Sequence, residues 1–155
     1  LLEKKKLKFN YVCCIFATAP FINKNLIKKS FEKLRKGKYD FVFGANKIDT
    51  KYLRSFYVKN KKLNILNNNF YSTPSKSYPD AYVDSGQFYW GTKKAWKKNK
   101  MIFSKNSSFI VLDGKKFIDI NNYKDFKLAK KIAKNSSLRS VKWKLNKTIL
   151  KFWEE

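Results

Sequence analysis

Apolar residues recur along the first third of the chain in two patterns, one typical of strands and one of a helix. Phe9 to Ala17 is a nearly continuous apolar run with β-branched and aromatic members, which predicts a strand buried on both faces. Apolar residues then recur at helical spacing between the N-cap Asn23 and the stop at Gly37. Tyr39 to Ala45 predicts a second buried strand. Strand, helix and strand within about 35 residues form a βαβ unit, which predicts a parallel sheet with a right-handed crossover.

The rest of the chain predicts shorter strands and three further helices. Lys51 to Leu66 reads as a hairpin with its turn at Asn60 to Lys62, and the polar stretch Asn67 to Asp80 as a loop. After this loop we predict the strand Gly86 to Gly91 and a helix from its cap Thr92 through Lys98. The strands Phe109 to Leu112 and Phe117 to Ile120 and a helix from Asn122 to Lys134 follow. Beyond a break at Asn135 to Ser137, an amphipathic helix is predicted, with one apolar face formed by Leu145, Ile149, Phe152 and Trp153. The pattern therefore predicts one α/β domain, residues 1–134, followed by a terminal helix or tail, residues 135–155.

The chain is strongly basic, with 36 Lys and Arg against 11 Asp and Glu and a net charge of +25. Such a field favours polyanions and phosphorylated ligands. Only Arg35, Arg54 and Arg139 are arginines, however, and arginine is the usual residue for bidentate contacts to guanine and phosphate. The lysines are spread along the whole chain, which favours solvated lysine faces over a dedicated nucleic-acid surface.

The sequence excludes several kinds of catalytic and metal site, and it contains no predicted membrane span or signal peptide. The chain has no His, which excludes a Ser-His or Cys-His nucleophile and a His-ligated zinc. Cys13 and Cys14 are adjacent and would face opposite sides of a strand, so they form neither a disulfide framework nor a metal site. Tyr11 to Ile22 is too short to span a bilayer, and the lysine-rich segment before it is not expected to be a signal peptide. We expect a reducing, cytoplasmic compartment.

Residues at the carboxyl ends of the predicted strands are candidate ligand contacts, because open α/β sheets bind ligands there. These ends are Ala17 to Pro20, Gly44 to Asn46 and Asp119 to Asn121. The small residues before Pro20 would let a base or ribose approach the backbone, although the pattern alone favours an ordinary turn before a helix. Asp119 suits a hard cation such as Mg²⁺, and a cap for the next helix is the alternative. No Gly-rich phosphate loop occurs in the chain.

Several longer strings resemble one enzyme family, the acylneuraminate cytidylyltransferases or CMP-sialic acid synthetases, and in particular those acting on pseudaminic acid. The matching segments are Tyr11 to Ile22 (YVCCIFATAPFI), Arg54 to Phe56, Tyr78 to Tyr82, Asp84 to Gly91 (DSGQFYWG) and Ile118 to Lys130. DSGQFYWG is specific, whereas the βαβ framework is not. The resemblance implies a Rossmann-like nucleotidyltransferase fold of the nucleotide-diphospho-sugar transferase type, with a mostly parallel sheet.

The resemblance also implies an activity and its residues. The 2-hydroxyl of a nonulosonic acid, pseudaminic or sialic-acid-like, would attack the α-phosphate of CTP and give a CMP-sugar and pyrophosphate, with Mg²⁺ as cofactor. The implied residues are Ala17, Thr18 and Ala19 at the nucleotide; Arg54, Ser85, Gln87 and Tyr89 at the sugar; Asp119 and Asn121 at the metal; and Asp119 and Arg54 in catalysis. CTP and the sugar acid are the expected ligands, the expected assembly is a homodimer, and neither a membrane nor a nucleic acid is an expected partner.

Three departures from the family pattern shape these expectations. The family has a second metal-binding Asp where this chain has Asn121, whose uncharged amide would lower metal affinity. The family's basic residue before the Tyr-Pro segment is not evident, since only Lys76 lies close by. The family's loop for the CTP phosphates would lie about 70 residues before Leu1, so we expect an N-terminally incomplete and, by itself, inactive chain. A basic nucleic-acid-binding module and a non-catalytic remnant that only dimerises are the alternatives.

Overall fold

The computed structural model describes residues 8–112 and 117–135, which form a four-stranded sheet, a separate hairpin and three α-helices. The strands are β1 (Tyr11–Ile15), β2 (Phe41–Ile48), β3 (Phe56–Lys59), β4 (Lys62–Ile65), β5 (Ala81–Thr92) and β6 (Ser107–Leu112). The helices are α1 (Lys24–Gly37), α2 (Lys93–Lys97) and α3 (Tyr123–Asn135), and short 3-10 turns cover Thr50–Arg54, Asn68–Phe70 and Ser75–Ser77. The α/β prediction is therefore confirmed.

The sheet is mixed, with the strand order β1-β5-β2-β6. Strand β5 runs antiparallel to both of its neighbours, and only the β2–β6 pair is parallel. The predicted β1-α1-β2 unit exists, and its two strands run in the same direction, but β5 lies between them. The expectation of a mostly parallel sheet is not confirmed for the described strands, because a strand from much later in the chain occupies the position between β1 and β2.

Two apolar clusters hold the sheet to its helices. Leu26 of α1 packs with Phe88 and Leu112 in one cluster, and the indole N–H of Trp90 donates to the carbonyl of Ile27, which ties α1 to β5. The other cluster is formed by Phe43, Ala45 and Tyr89, with Trp96 of α2 packed against them. Strand β1 departs from the prediction of burial on both faces. It is an outer strand of the described sheet, and Cys14 and Ile15 are exposed.

Local signals in the sequence correctly predict several element ends. The Asn23 side chain accepts from the backbone N–H of Leu26 at 3.0 Å and caps α1, and Thr92 caps α2 in the same way. The hairpin turns at Asn60 and Lys61, which both have positive φ, as the two-residue turns favoured between antiparallel strands require. In α3, Ala129 is buried and Phe126 and Ile132 are partly buried, so one face of the helix packs against the rest of the protein.

Other elements differ from the prediction. Strand β5 spans twelve residues instead of the six of Gly86 to Gly91, because its first half pairs with the end of β2. Phe117 to Ile120 is not a strand, and the Ile120 N–H bonds to the Thr18 carbonyl instead. The predicted break after Asn135 and the helix containing Leu145 to Trp153 lie outside the described residues. Within residues 8–112 and 117–135, no helix has the length and apolar character needed to cross a membrane.

Candidate functional site

Five buried side-chain oxygens lack a hydrogen-bond partner in the described part of the chain. They are Asn46 Oδ1, Asp84 Oδ1, Ser85 Oγ, Gln87 Oε1 and Asp119 Oδ1. Three belong to β5, one lies near the carboxyl end of β2, and one follows β6. A buried polar atom left without a partner costs about 1–3 kcal/mol, so such atoms are rare in folded proteins. A group of them in neighbouring elements indicates a surface that a ligand completes.

A bulge in β5 shapes this surface. Phe43 pairs with Tyr89 and Ala45 with Asp84, so residues 85–88 stand opposite Gly44 alone. Gly86 has a φ of 61°, a conformation that favours glycine. A methyl group at position 86 would lie 2.7 Å from Asp119 Oδ2, and one on Gly44 would lie 2.6 Å from Ser85 Oγ. The two glycines therefore allow the carboxylate and the hydroxyl to approach the backbone closely.

Tyr89 and Asp84 form a hydrogen-bonded pair at this bulge. The Tyr89 hydroxyl donates to Asp84 Oδ2, and the Tyr89 ring contacts those of Phe16 and Phe43. Burial first, then the hydrogen bond and the negative charges of Asp84 and Asp119, raise the pKa of Tyr89 well above its usual value. The hydroxyl therefore stays protonated, and its single hydrogen is already donated to Asp84.

The segment around Asp119 is held by its neighbours and is not a helix cap. The Asn122 side-chain oxygen accepts from the Asp125 N–H and caps α3, and the Asp125 carboxylate accepts from the Asn122 N–H. These two residues therefore form a capping box. The alternative of Asp119 as the cap is therefore wrong. Asp119 Oδ2 instead accepts from the side-chain amide of Asn121 at 3.0 Å. The Ile120–Thr18 backbone bond brings this segment to the turn between β1 and α1.

The residues predicted for the site divide into two groups. Backbone and side-chain contacts join the Thr18 turn, the β5 bulge and the Asp119 segment, so Ser85, Gln87, Tyr89, Asp119 and Asn121 belong to one region. The described contacts do not join Arg54 to that region. Its guanidinium lies 5.6 Å from the centre of the Tyr71 ring, near the base of the hairpin, and it is exposed.

Two residues of the site, Asn46 and Asp84, are missing from the residues that the family resemblance implies. Asn46 belongs to one of the strand ends already named as candidate ligand contacts, because open α/β sheets bind ligands at such ends. Asp84 starts the DSGQFYWG string, but only the bulge brings it next to Tyr89. Cys13 adds no chemistry, because burial, helped by Cys14, raises the pKa of its thiol to about 12.

Asp119 suits the expected Mg²⁺. Its Oδ1 is a charged, hard oxygen that is buried without a donor. Among residues 8–112 and 117–135, no group of three or more His, Cys, Asp or Glu side chains could hold a metal ion. A cation here would depend on fewer carboxylates and on substrate oxygens, which is the usual arrangement for Mg²⁺. Asn121 donates its N–H to Asp119, and its role as a metal ligand stays a prediction.

Comparison with known proteins supports the resemblance seen in the motifs. No family model matches the chain. It is 34% identical over 135 residues to the pseudaminic acid cytidylyltransferase of Campylobacter jejuni subsp. jejuni serotype O:23/36, and 33% identical to that of serotype O:2. Each match covers 86% of this chain and 58% of the relative, so the chain spans less than two thirds of either protein.

A third relative is longer. It is the Helicobacter pylori protein named pseudaminic acid cytidylyltransferase and UDP-2,4-diacetamido-2,4,6-trideoxy-beta-L-altropyranose hydrolase. The chain is 26% identical to it over 130 residues, which are 83% of this chain and 25% of that protein. The three matches confirm the resemblance predicted from the motifs.

Proposed function

We propose that this chain, a homologue of the pseudaminic acid cytidylyltransferases, is part of an enzyme that joins a nonulosonic acid to CMP. In this reaction the 2-hydroxyl of the sugar acid attacks the α-phosphate of CTP, and pyrophosphate leaves. The observation that carries the proposal is the similarity over 86% of the chain to two cytidylyltransferases. Residues 1–134 would form the carboxyl-terminal part of one Rossmann-like nucleotidyltransferase domain, with the mixed sheet at its centre.

The sugar pocket is proposed at the β5 bulge. Gln87 is fully buried, and its amide donates to the Ser85 carbonyl at 3.1 Å while its own oxygen has no donor. Ser85 and Asn46 also offer buried, unpartnered oxygens. A sugar acid carries hydroxyl groups that can donate to such acceptors, and leaving them unpaired would be costly. Tyr89 contributes its ring and the orientation of Asp84, since its hydroxyl is already bonded.

The nucleotide is proposed at the turn after β1. Ala17, Thr18 and Ala19 have small side chains, and the Ala19 N–H bonds to the Phe16 carbonyl at 3.1 Å, which closes the turn. The Thr18 carbonyl bonds to Ile120, next to Asp119. A base or ribose at this turn would therefore lie beside the residue proposed for the metal.

Two charged residues are proposed to bind the anionic substrates, Asp119 through Mg²⁺ and Arg54 directly. Asp119, with Asn121 beside it, would hold Mg²⁺, which when bound neutralises charge on the phosphates. Arg54 would contact the carboxylate of the sugar acid, for which a guanidinium is well suited. Its exposed position over Tyr71 leaves the guanidinium accessible to such a ligand.

We also propose a homodimer and a cytoplasmic location. The β3–β4 hairpin exposes apolar side chains on both strands, namely Phe56, Tyr57, Val58, Leu63 and Ile65. A second copy offers an identical apolar hairpin, and homodimers usually bury the same patch on both subunits. The free thiols of Cys13 and Cys14 suit a reducing compartment. Sedimentation equilibrium of the chain and of a Val58→Ser variant tests the dimer, which the substitution should weaken.

The activity is tested by pyrophosphate release from the protein encoded by the gene, with any coding sequence that adjoins these 155 residues. We expect release from CTP only when a nonulosonic acid and Mg²⁺ are both present. Equal release from ATP, or release without the sugar acid, would contradict the assignment. A salt-titrated mobility shift with random RNA and DNA tests the alternative of a nucleic-acid-binding module, for which tight and saturable binding is the expected result.

A further inference from the structure

Asp84 and Asp119 have the same unusual hydrogen-bonding environment. In each carboxylate, Oδ2 accepts one hydrogen bond, from the Tyr89 hydroxyl in Asp84 and from the Asn121 amide in Asp119. In each, Oδ1 is buried and has no partner. In each carboxylate, one neighbouring donor therefore orients the side chain, and Oδ1 remains available to a ligand.

The Asp119 carboxylate lies against β5 at Gly86, close in the chain to Asp84. A methyl on Gly86 would be 2.7 Å from Asp119 Oδ2, and Gly86 is two positions after Asp84 in β5. The Tyr89 hydroxyl, which bonds to Asp84, also lies within electrostatic range of Asp119. The Gln87 amide also lies against this stretch of backbone, since it donates to the Ser85 carbonyl, and its buried oxygen has no donor.

No lysine neutralises these two aspartates in the described part of the chain, although the whole chain has 36 basic residues. The described ion pairs join Asp40, Asp49 and Asp80 to nearby lysines. Two carboxylates near each other repel when no cation lies between them. A metal ion between them would remove that repulsion and give each unpartnered oxygen a partner.

We propose that Asp84 and Asp119 together hold one divalent cation, and that Asn121 positions Asp119 through its hydrogen bond without binding the ion. Gln87 Oε1 is a further buried oxygen of β5 that has no partner. These hard oxygen ligands suit Mg²⁺ or Mn²⁺ better than softer metals. Asp84 thus supplies the negative charge that an amide at position 121 does not provide. The inference deepens the proposed function and rests on it only for the identity of the ion.

The test is metal binding by the 155-residue chain without CTP or sugar acid. Mn²⁺ is the probe, its free concentration is followed by electron paramagnetic resonance, and Mg²⁺ competes for the site. We expect Asp84→Asn and Asp119→Asn each to lower Mn²⁺ affinity by at least about 10-fold, and Asn121→Ala to lower it less. Asp80→Asn is the matched control. It removes the same charge just before β5, from an exposed carboxylate paired with Lys47, and should leave affinity unchanged.

The proposal is overturned if Asp84→Asn binds Mn²⁺ as tightly as the unchanged chain, or if the unchanged chain does not bind Mn²⁺. It is also overturned if Asn121→Ala loses more affinity than Asp84→Asn. Melting curves without metal establish that each variant folds. Asp84→Ser, which keeps an oxygen for Tyr89, replaces Asp84→Asn if the latter does not fold. Because no substrate is present in this test, metal binding here combined with no cytidylyltransferase activity in the protein encoded by the gene would refute the proposed function alone.

Discussion

The Tyr89 hydroxyl bonds to the Asp84 carboxylate within a single strand, although the two residues are five positions apart. They meet because Asp84 pairs with Ala45 and Tyr89 with Phe43, two residues on the same face of β2, while residues 85–88 bulge opposite Gly44. A regular strand would have put Asp84 and Tyr89 on opposite faces. The bulge therefore places the Asp84 carboxylate and the Tyr89 hydroxyl within hydrogen-bonding distance.

Removing the Tyr89 hydroxyl should destabilise the fold. Tyr89→Phe leaves both oxygens of Asp84 without a donor, and we expect a loss of about 1–2 kcal/mol in the free energy of unfolding. Tyr82→Phe is the matched control, because Tyr82 lies in the same strand but is exposed. Urea denaturation measures both. Equal stability of the two variants would mean that the Asp84 bond contributes nothing.

The raised pKa of Tyr89 predicts how stability changes in alkali. The hydroxyl keeps its proton more tightly in the folded state than in the unfolded state, where its pKa is about 10.0. This contribution is complete below pH 10 and is lost as the pH rises towards the folded-state pKa. The melting temperature should therefore fall more steeply above pH 10 in the unchanged chain than in Tyr89→Phe. Parallel slopes for the two proteins would contradict the prediction.

Gly86→Ala should be destabilising for two reasons. The residue has a positive φ, which costs about 1 kcal/mol for a residue with a side chain, and its methyl would collide with Asp119 Oδ2. Repeating the substitution in an Asp119→Ala background removes the collision and keeps the backbone strain. We expect the loss in melting temperature to be smaller in that background. An equal loss in melting temperature in both backgrounds would show that the methyl at position 86 does not collide with Asp119.

Asp119 and Asp125 should behave oppositely when each is changed to Ala. Asp125 belongs to the capping box of α3, so its loss should cost about 1 kcal/mol of stability. Asp119 makes no such cap, and its loss should leave stability nearly unchanged or raise it, while turnover of the complete enzyme is abolished. Melting curves measure the stability of both variants, and pyrophosphate release measures turnover. Full turnover in Asp119→Ala would contradict the role proposed for Asp119.

Arg54→Ala should raise the KM for the sugar acid much more than the KM for CTP. A charge-assisted bond to a carboxylate contributes about 1.5–3 kcal/mol, which corresponds to roughly 10- to 150-fold. Arg35→Ala is the control, since Arg35 is an exposed residue in the last turn of α1. Steady-state kinetics with each substrate varied in turn measures the effect. Equal sugar kinetics in the two variants would show that Arg54 serves only its contact with Tyr71.

The part of the fold that the sequence predicts correctly is the part set by neighbouring residues. Asn23 caps α1 and Thr92 caps α2, because a side-chain oxygen has only to reach a backbone N–H three residues away. The turn at Asn60 and Lys61 follows from the alternation on either side of it. The resemblance to cytidylyltransferases also follows from local sequence, because the eight consecutive residues of DSGQFYWG form a specific string whatever their pairing in the sheet.

Pairing between distant segments was decided only by the tertiary structure. Apolar runs at Tyr11–Ile15 and Phe41–Ile48 predict two strands but cannot show that β5 separates them, since hydrogen bonds between strands leave no local signal. The same holds for the site. Gly86 and Asp119 are far apart in the chain, and only the fold places the Asp119 carboxylate against the bare backbone of Gly86. The sequence determined which side chains are available for chemistry, whereas the bulge in β5 determined which of them share one site, because that choice depends on long-range backbone pairing.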